Sequence, residues 1–429
     1  MSINMKKLFF AIACAAVILT GCKPKAAEVV APAERPAWFT NENYFVEKNG
    51  MYEEMPIYPN NIVMVGDDYI DRGLWNEFFC DTTIKNRGIT YDATEHVLYR
   101  IGGIAAQKPA KIFVSVGYND IINGKKPDET AARIGEIFAT ASKLSPDTKL
   151  YYMNIAGYSE DEAEIAAFDE VNSKVEALSK DGGFEYIDIK SALFDGIKSG
   201  AFSTNGGKHL NGPGYEALAG AIENQIGRMH LNHADEKEFT GVDYYKNRAS
   251  IFRSLPQADS KVIFLGNSLM NNGLWSELFP FIPIINRGIS GDEIDGIRQR
   301  LDEVARHNPS VLFLITGCND FVNSPDKPAS QVWKSYEALL KDVQAQFPNT
   351  NVNVMSILPL NPKSKFYEGF NEKAAEVNRL LESSAETYGY RYIDIAKVLS
   401  DENGNLKDEY TTDGIHLTAD GMGYAFWQE

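Results

Sequence analysis

The C-terminal half of the chain carries, in separate short blocks, the residue types that acyl transfer requires. That reaction needs a nucleophile, a base, a group that orients the base, and hydrogen-bond donors for the developing oxyanion. Ser268 offers a hydroxyl, His416 an imidazole, and Asp413 a carboxylate three residues before the histidine, so that one turn can present both. Gly288, whose N–H no side chain covers, the amide of Asn319 and the N–H of Ser268 itself are candidate oxyanion donors.

The sequence repeats itself after about 200 residues. Asn-Arg-Gly-Ile at 86–89 recurs at 286–289, and Gly-Tyr-Asn-Asp at 117–120 matches Gly-Cys-Asn-Asp at 317–320. A period of this length is too long for a solenoid unit, so the chain is expected to contain two copies of one domain. The predicted boundaries are a signal peptide at 1–21, a tether at 22–40, a first domain at 41–229, a linker at 230–241 and a second domain at 242–429.

Each copy shows alternating strand-like and helix-like segments. In the second copy, short runs rich in β-branched and aromatic residues are separated by segments of helical length. The predicted strands are 261–265, 282–285, 311–316, 351–356 and 391–395, and the predicted helices are 292–307, 330–347 and 366–387. This alternation predicts an α/β fold with a parallel sheet, and ligands of such sheets bind outside the carboxyl ends of the strands. The polar blocks follow these strands and should therefore meet at one edge.

These blocks resemble the SGNH (GDSL) hydrolase superfamily, which is named for a Ser, a Gly, an Asn and a His in four separated blocks. The resemblance covers both copies and implies that each is a flavodoxin-like three-layer α/β/α domain with a five-stranded parallel sheet. It implies Ser268 as the nucleophile, His416 as the general base and Asp413 as its orienting acid, with Gly288, Asn319 and the N–H of Ser268 forming the oxyanion hole. It implies no cofactor and no metal.

Within the superfamily, the Asn-Arg-Gly-Ile-Ser-Gly-Asp run at 286–292 and the Asp-Gly-Ile-His-Leu run at 413–417 resemble the acetylhydrolases related to platelet-activating-factor acetylhydrolase, and bacterial carbohydrate and sialate O-acetylesterases. The preferred hypothesis is a serine esterase that removes small acyl groups, foremost acetyl, from carbohydrate through an acyl-serine intermediate. One alternative is a lysophospholipase or thioesterase that uses the same triad on lipid acyl chains. Another is a glycan-binding lipoprotein without turnover.

The first copy lacks the complete set. Asp68 stands at the serine position and Gly206 three residues before His209, where the acid belongs, whereas Gly88, Asn119 and His209 match. Attack of an aspartate on an ester would give an anhydride, a poor intermediate for acyl hydrolysis. The first domain is therefore predicted to be non-catalytic. It could still bind a glycan or serve only to pack against its twin, and the sequence leaves both open.

The first residues resemble a bacterial lipoprotein leader. Lys6 and Lys7 precede an apolar run at 8–19, which is too short to span a bilayer and ends in Leu-Thr-Gly before Cys22. The resemblance implies that Cys22 becomes the acylated first residue, and several acyl chains give durable anchoring. The absence of Asp after Cys22 favours the outer membrane. Whether the folded part faces the periplasm or the cell surface is left open.

Charge and cysteine content exclude several classes of protein. The formal net charge of −17 repels phosphate backbones, so nucleic acid is not an expected partner, and the membrane is contacted only through the lipid anchor. Four cysteines are too few for a disulfide framework. His230 and His233 have metal-like spacing but no acidic or cysteine cluster nearby, so no metal site is predicted. Arg287, repeated as Arg87, either contacts substrate or pairs with a carboxylate to hold its loop.

Overall fold

The computed structural model describes residues 43–203, 209–232, 237, 239–257 and 262–418. Within these ranges, no helix is both long enough and apolar enough to cross a membrane. Cys22 with the rest of the leader and tether, Gly206, His233 and the last eleven residues, 419–429, lie outside the described residues.

The first copy is built on a five-stranded parallel sheet in the order β2-β1-β3-β4-β5. Its strands are β1 (Ile62–Gly66), β2 (Ile84–Gly88), β3 (Lys111–Ser115), β4 (Lys149–Met153) and β5 (Glu185–Ile187). All five side chains of β1, Ile-Val-Met-Val-Gly, are buried, as expected for a central parallel strand covered on both faces. Alternate residues face opposite layers: Met64 packs in one apolar cluster, and Val63 and Val65 pack in the other.

Helices cover both faces of this sheet and form the outer layers. They are α1 (Asn43–Glu54), α2 (Asp68–Asp71), α3 (Trp75–Phe78), α4 (Thr94–Ala105), α5 (Tyr118–Ile122), α6 (Pro127–Leu144), α7 (Glu162–Ser179), α8 (Lys190–Lys198) and α9 (Gly212–Ile226). Parallel neighbours need a crossover of this kind, because the chain must return to the same end of the sheet before each new strand.

The second copy repeats the architecture, with a parallel sheet in the order β7-β6-β8-β9-β10. Its elements are α10 (Asp243–Ser254), β6 (Val262–Gly266), α11 (Ser268–Asn271), α12 (Trp275–Leu278), β7 (Ile284–Gly288), α13 (Ile294–Gln299), α14 (Leu301–Ala305), β8 (Val311–Ile315), α15 (Cys318–Val322), α16 (Ala329–Gln346), β9 (Asn351–Met355), α17 (Phe370–Tyr388), β10 (Arg391–Ile393), α18 (Ile395–Leu399) and a 3₁₀ turn, Asp408–Tyr410. The prediction of two three-layer α/β/α domains, each with five parallel strands, is confirmed.

Two details of the predicted elements are corrected. The second strand lies at Ile284–Gly288, so Asn286, Arg287 and Gly288 are inside the strand and do not follow it. The helix expected at 292–307 is divided into α13 and α14 at Arg300, whose φ of −119° is not helical. The Arg300 guanidinium donates to the carbonyls of Arg287 and Gly266 and so ties two strand ends together; Arg100 of the first copy makes the corresponding contacts from an unbroken helix.

The first helix of each copy packs on both copies: Tyr52 of α1 donates to the Gly88 carbonyl of the first copy, and Tyr245 of α10 donates to the Gly296 carbonyl of the second. Met51 of α1 is buried in an apolar cluster of the second copy with Met270 and Leu417. In return, Ile251 and Phe252 of α10 are buried in a cluster of the first copy. The predicted boundaries at 41 and 242 therefore follow the order of the chain, whereas the packing of these two helices crosses from one copy to the other.

Reciprocal ion pairs join the copies. Arg87 forms two hydrogen bonds of 2.8 Å with Glu277 of the second copy, and Arg287 lies 3.0 Å from Glu77 of the first. Both arginines are buried, at 1% and 0% exposure. The same surface is used by each copy, as in a two-fold symmetric dimer. Of the two roles considered for Arg87 and Arg287, pairing with carboxylates is the one found.

Candidate active site

Ser268, His416 and Asp413 meet at the carboxyl edge of the second sheet. The Ser268 Oγ lies 3.1 Å from His416 Nε2, and His416 Nδ1 lies 2.6 Å from Asp413 Oδ2. An ionised carboxylate can only accept a hydrogen bond, so His416 Nδ1 carries a proton and donates it in a hydrogen bond to Asp413. His416 Nε2 is then unprotonated and can accept the serine proton. Ser268 lies 148 residues before His416 in the chain, yet the three side chains form the hydrogen-bonded relay expected of a nucleophile, a base and an orienting acid.

A tight turn at the end of β6 presents the serine. Gly266 pairs with Gly288 of β7 and Ile315 of β8, and a Cβ at Gly266 would lie 2.4 Å from the Ile315 carbonyl oxygen. Asn267 caps α11 by accepting the N–H of Leu269 at 3.1 Å. Asp67 of the first copy makes the corresponding local hydrogen bond, accepting the N–H of Tyr69 at 3.3 Å. Ser268 is the first residue of α11 and is 9% exposed.

The loop after β10 holds the aspartate rigidly. Asp413 Oδ1 accepts the backbone N–H groups of Ile415 and His416, each at 2.8 Å, and Gly414 adopts a φ of +87° that favours glycine. Burial raises the pKa of Asp413, but these hydrogen bonds and the imidazole outweigh burial and lower the pKa well below its usual range. Asp413 therefore remains ionised throughout the neutral range.

The charge of Asp413 also acts on the histidine. Burial lowers the pKa of His416, while the hydrogen bond and charge of Asp413, together with the charge of Glu47, raise it and prevail. An elevated pKa makes His416 a stronger base and stabilises the imidazolium that forms when the serine proton is transferred.

The oxyanion donors differ in part from those predicted. Asn319 has the expected place: one amide hydrogen donates to the Asp292 carbonyl at 2.9 Å, which leaves the second hydrogen for a ligand. Gly288 does not serve, because its N–H donates to Asn286 Oδ1 at 2.8 Å and its Cα packs against the backbone of Asn271. Gly291 takes its place in the loop after β7, with a φ of +79° and open space where a side chain would be.

The first copy identifies Gly291 as the donor that the sequence argument missed. Its counterpart Tyr91, also at positive φ, donates its N–H to the Asp68 carboxylate at 2.9 Å, and Asn119 Nδ2 lies 3.4 Å from the same oxygen. Those two donors converge on the group at the serine position. The internal repeat therefore predicts that the N–H of Gly291 and the amide of Asn319 converge beside Ser268. The signal available in the sequence was a glycine directly before Asp292.

Comparison with known proteins identifies the family of the chain. The sequence profile of the GDSL-like Lipase/Acylhydrolase family matches residues 66–217 and 266–424, one region in each copy. The chain belongs to this family. It is accordingly a serine ester hydrolase with two GDSL-like domains in tandem.

Individual relatives of this GDSL-like hydrolase include mammalian acetylhydrolases. The rat platelet-activating factor acetylhydrolase IB subunit alpha2 is 28% identical over 203 residues, which cover 46% of this chain and 84% of the relative. Among solved structures, a GDSL-like lipase from Bacteroides thetaiotaomicron is 24% identical, with 42% and 91% coverage and a TM-score of 0.37. An acetylxylan esterase from Geobacillus stearothermophilus is 16% identical, with 40% and 95% coverage and a TM-score of 0.35.

A buried ion pair braces the oxyanion loop of this GDSL-like hydrolase. Asp292 Oδ2 accepts from Arg300 Nη2 at 2.8 Å, and Arg300 also donates to the Arg287 carbonyl at 2.8 Å. Burial raises the pKa of Asp292 to about 6, although Arg300 opposes the rise. The first copy repeats the arrangement with Asp92 and Arg100. The brace therefore belongs to the scaffold of both domains and keeps the loop that carries Gly291 in place.

The degenerate counterparts sit where the repeat predicts, but their chemistry differs. The Asp68 carboxylate occupies the position between the donors of Tyr91 and Asn119, and its Oδ1 is 3.5 Å from His209 Nδ1. Gly88 matches Gly288 and likewise donates its N–H to a neighbouring asparagine at 2.8 Å. Burial raises the pKa of Asp68, and the hydrogen bond from Tyr91 counteracts this rise.

The remaining polar residues of interest have structural surroundings. Cys318 is buried, and burial raises the pKa of its thiol to about 12, so a thiolate nucleophile is not formed at neutral pH. Trp75 and Trp275 are core residues whose indole N–H groups donate to backbone carbonyls. His230 pairs with Glu223. Among the described residues, no group of three or more His, Cys, Asp or Glu side chains is arranged to hold a metal ion.

Proposed function

We propose that the protein removes small acyl groups, foremost acetyl, from carbohydrate esters at Ser268 of the second copy. The observation that carries the proposal is the chain of hydrogen bonds from the Ser268 hydroxyl through His416 to Asp413. A preference for acetyl is supported by the similarity to the acetylhydrolase subunit.

The reaction proceeds in two halves. His416 Nε2 takes the proton of Ser268 while the serine oxygen bonds to the acyl carbon, and the N–H groups of Ser268 and Gly291 with the Asn319 amide bind the resulting oxyanion. The imidazolium then gives this proton to the departing alcohol, leaving acyl-Ser268. In the second half His416 takes a proton from a water as the water oxygen bonds to the acyl carbon, and returns it to the Ser268 oxygen as the bond from that oxygen to the acyl carbon breaks and the carboxylic acid leaves.

Substitution of the nucleophile, with its twin position as control, tests the site. Ser268→Ala is expected to abolish acetate release from aryl acetates, whereas Asp68→Ala at the corresponding position of the first copy should leave it intact. A fluorophosphonate probe should label the wild type and the Asp68→Ala variant but not Ser268→Ala. Undiminished hydrolysis by the Ser268→Ala variant would refute the assignment.

The length of the acyl chain and the identity of the alcohol are varied to test which esters the enzyme hydrolyses. Rates on aryl esters are expected to fall steeply from acetate to octanoate, and acetylated glycans should release acetate. A rate that rises with acyl length would instead support the lipid-acyl hypothesis. Failure to react with the fluorophosphonate probe would support the glycan-binding hypothesis, because a binding module needs no activated serine.

The first copy is proposed to be non-catalytic because its own carboxylate takes the place of the reacting group. Asp68 is held by Tyr91 and Asn119, the counterparts of the oxyanion donors, so a substrate carbonyl would have to displace a buried anion. Replacing Asp68 with Ser is therefore expected to free these donors, and probe labelling at position 68 would report any regained nucleophile.

The protein is further proposed to be an outer-membrane lipoprotein anchored through Cys22, with its substrates outside the cytoplasm. The lipobox-like Leu-Thr-Gly-Cys and the proline-rich stretch behind it support this location. Expression with an alkyne-labelled fatty acid should label the wild type, and Cys22→Ala should lose both the label and the membrane fraction. Retention of the label in Cys22→Ala would refute the anchor.

A further inference from the structure

A residue of the first copy reaches the active site of the second. Glu47 lies on α1, before the first sheet begins, yet Thr412 Oγ1 donates a hydrogen bond to its Oε1. Thr412 directly precedes Asp413 of the triad. The two carboxylates interact electrostatically, and Glu47 also acts on the charge of His416. The site of the second copy is therefore completed by a helix that the sequence assigns to its twin.

The helix that carries Glu47 is firmly held. On one side, Met51 is buried among apolar residues of the second copy. On the other, the Tyr44 hydroxyl donates to Asp71 of the first copy at 2.8 Å, and Lys48 lies 3.4 Å from the same carboxylate. Tyr52 donates to the Gly88 carbonyl at 2.6 Å. These contacts with both copies fix the position of Glu47 beside the triad.

Glu47 is close enough to His416 to act on its charge, and His416 is the residue that the departing alcohol approaches. The oxyanion donors, Gly291 and Asn319, face the acyl carbonyl, whereas the alcohol departs toward His416, which protonates it. Glu47 lies on the side of Thr412 and Asp413, next to this histidine. It is partly buried, and within the described ranges no lysine or arginine forms an ion pair with it.

We propose that Glu47 is a specificity-determining residue of the second copy's active site, where its carboxylate accepts hydrogen bonds from hydroxyl groups of the alcohol and disfavours esters that carry an acidic group nearby. This inference rests on the proposed esterase function at Ser268. It gives the first copy a role in the reaction of its twin even though the first copy lacks a nucleophile of its own.

The repeat indicates that the fold does not require this charge. The residue that corresponds to Glu47 on α10 is Asn247, which is uncharged and buried where α10 packs on the first copy. A Glu47→Gln substitution keeps the size and shape of the side chain and makes it the same kind of group as its twin. The helix is therefore expected to keep its place when the charge is removed.

The test compares two esters that differ only at C6, a mono-O-acetylated methyl glucoside with a neutral hydroxymethyl group and the corresponding methyl glucuronoside with a carboxylate. In the wild type, kcat/KM should be lower for the glucuronoside. In Glu47→Gln, the kcat/KM for the glucuronoside divided by the kcat/KM for the glucoside should rise roughly tenfold. This is the size expected for removing one unit charge several ångströms away in a partly hydrated site. Glu54→Gln removes an exposed charge from the same helix and should leave the ratio unchanged. An unchanged ratio in Glu47→Gln would overturn the inference.

A pH profile separates this role from a structural one. The charged groups that act on His416 are Asp413 and Glu47. Burial and the charge of Asp413 raise the pKa of Glu47 to about 7, against the effect of His416. Removing the Glu47 carboxylate lowers the pKa of His416, so the acid limb of kcat/KM should move to lower pH in Glu47→Gln and not in Glu54→Gln. Loss of probe labelling at Ser268 in the wild type would refute the esterase function itself, whereas normal labelling with no change in ratio or pH limb would refute only the role of Glu47.

Discussion

The chain contains an internal control for its own oxyanion hole. Asn319 Nδ2 donates to the Asp292 carbonyl at 2.9 Å, and Asn119 Nδ2 makes the same bond to the Asp92 carbonyl at 3.0 Å. The two asparagines thus have nearly the same structural role, but only Asn319 stands beside a serine. Replacing each in turn with alanine separates the structural contribution of the side chain from its contribution to catalysis.

The expected magnitudes follow from these contacts. Either substitution removes the donor of a backbone carbonyl, which costs about 1–3 kcal/mol in the free energy of unfolding. Asn319→Ala additionally removes one oxyanion donor, worth about 2.7–4 kcal/mol of transition-state stabilisation, or about a 10²- to 10³-fold decrease in kcat. Asn119→Ala should leave kcat within about twofold of wild type, because the transition state forms only in the other copy.

The assay pairs aryl-acetate turnover with urea denaturation of the same preparations. We expect both variants to unfold at lower urea concentration than the wild type and only Asn319→Ala to lose turnover. Equal losses of kcat in the two variants would show that the first copy takes part in turnover or that the loss is structural. A normal kcat in Asn319→Ala would refute the proposed oxyanion hole.

Three further predictions concern the triad, the joint between the copies and the degenerate site. Asp413→Asn should lower kcat by up to about 10⁴-fold; because the hydrogen bond and charge that raise the pKa of His416 are lost, the acid limb of kcat/KM should also shift to lower pH than in the wild type. Arg87→Met leaves Glu277 buried without its ion-pair partner and should cost about 3–5 kcal/mol in the free energy of unfolding by urea denaturation; a loss below 1 kcal/mol would contradict a buried joint. Burial raises the pKa of Asp68, so its carboxyl group binds a proton more tightly in the folded state than in the unfolded state. The stability that this protonated carboxyl group contributes is lost as pH rises. Asp68→Asn should therefore gain stability relative to wild type as pH increases above about 4, and a difference independent of pH would contradict this.

The local sequence determined the elements and most of the chemistry. Continuous apolar runs such as Val311–Ile315 predict buried parallel strands, and the predicted strands lie within a few residues of the observed ones. Asp413 and His416 are three residues apart, so a single loop was enough to bring them together. The duplication was also evident from sequence, because identical blocks recur at nearly constant spacing.

The oxyanion loop could be predicted only in part, because the backbone decides which N–H is free. Gly288 and Gly291 are both glycines in one run, and nothing in their residue type distinguishes them. In the folded chain Gly288 is inside β7 and its N–H is taken by Asn286, whereas Gly291 turns into open space at positive φ. Which N–H groups are free near the end of a strand depends on how that strand pairs with its neighbours, and only the assembled sheet defines this pairing.

The contacts of α1 and α10 with both copies could not be predicted from the sequence, for a different reason. The positions of Glu47, Arg87 and Arg287 in the chain give no information about contacts with residues about 200 to 370 positions away. Side-chain types along the chain determined the two domains and their polar blocks, because strand and helix periodicity are local properties. Tertiary packing alone decided that α1 contacts the second copy as well as the first, because that contact depends on which apolar surfaces the complete domains leave uncovered for each other.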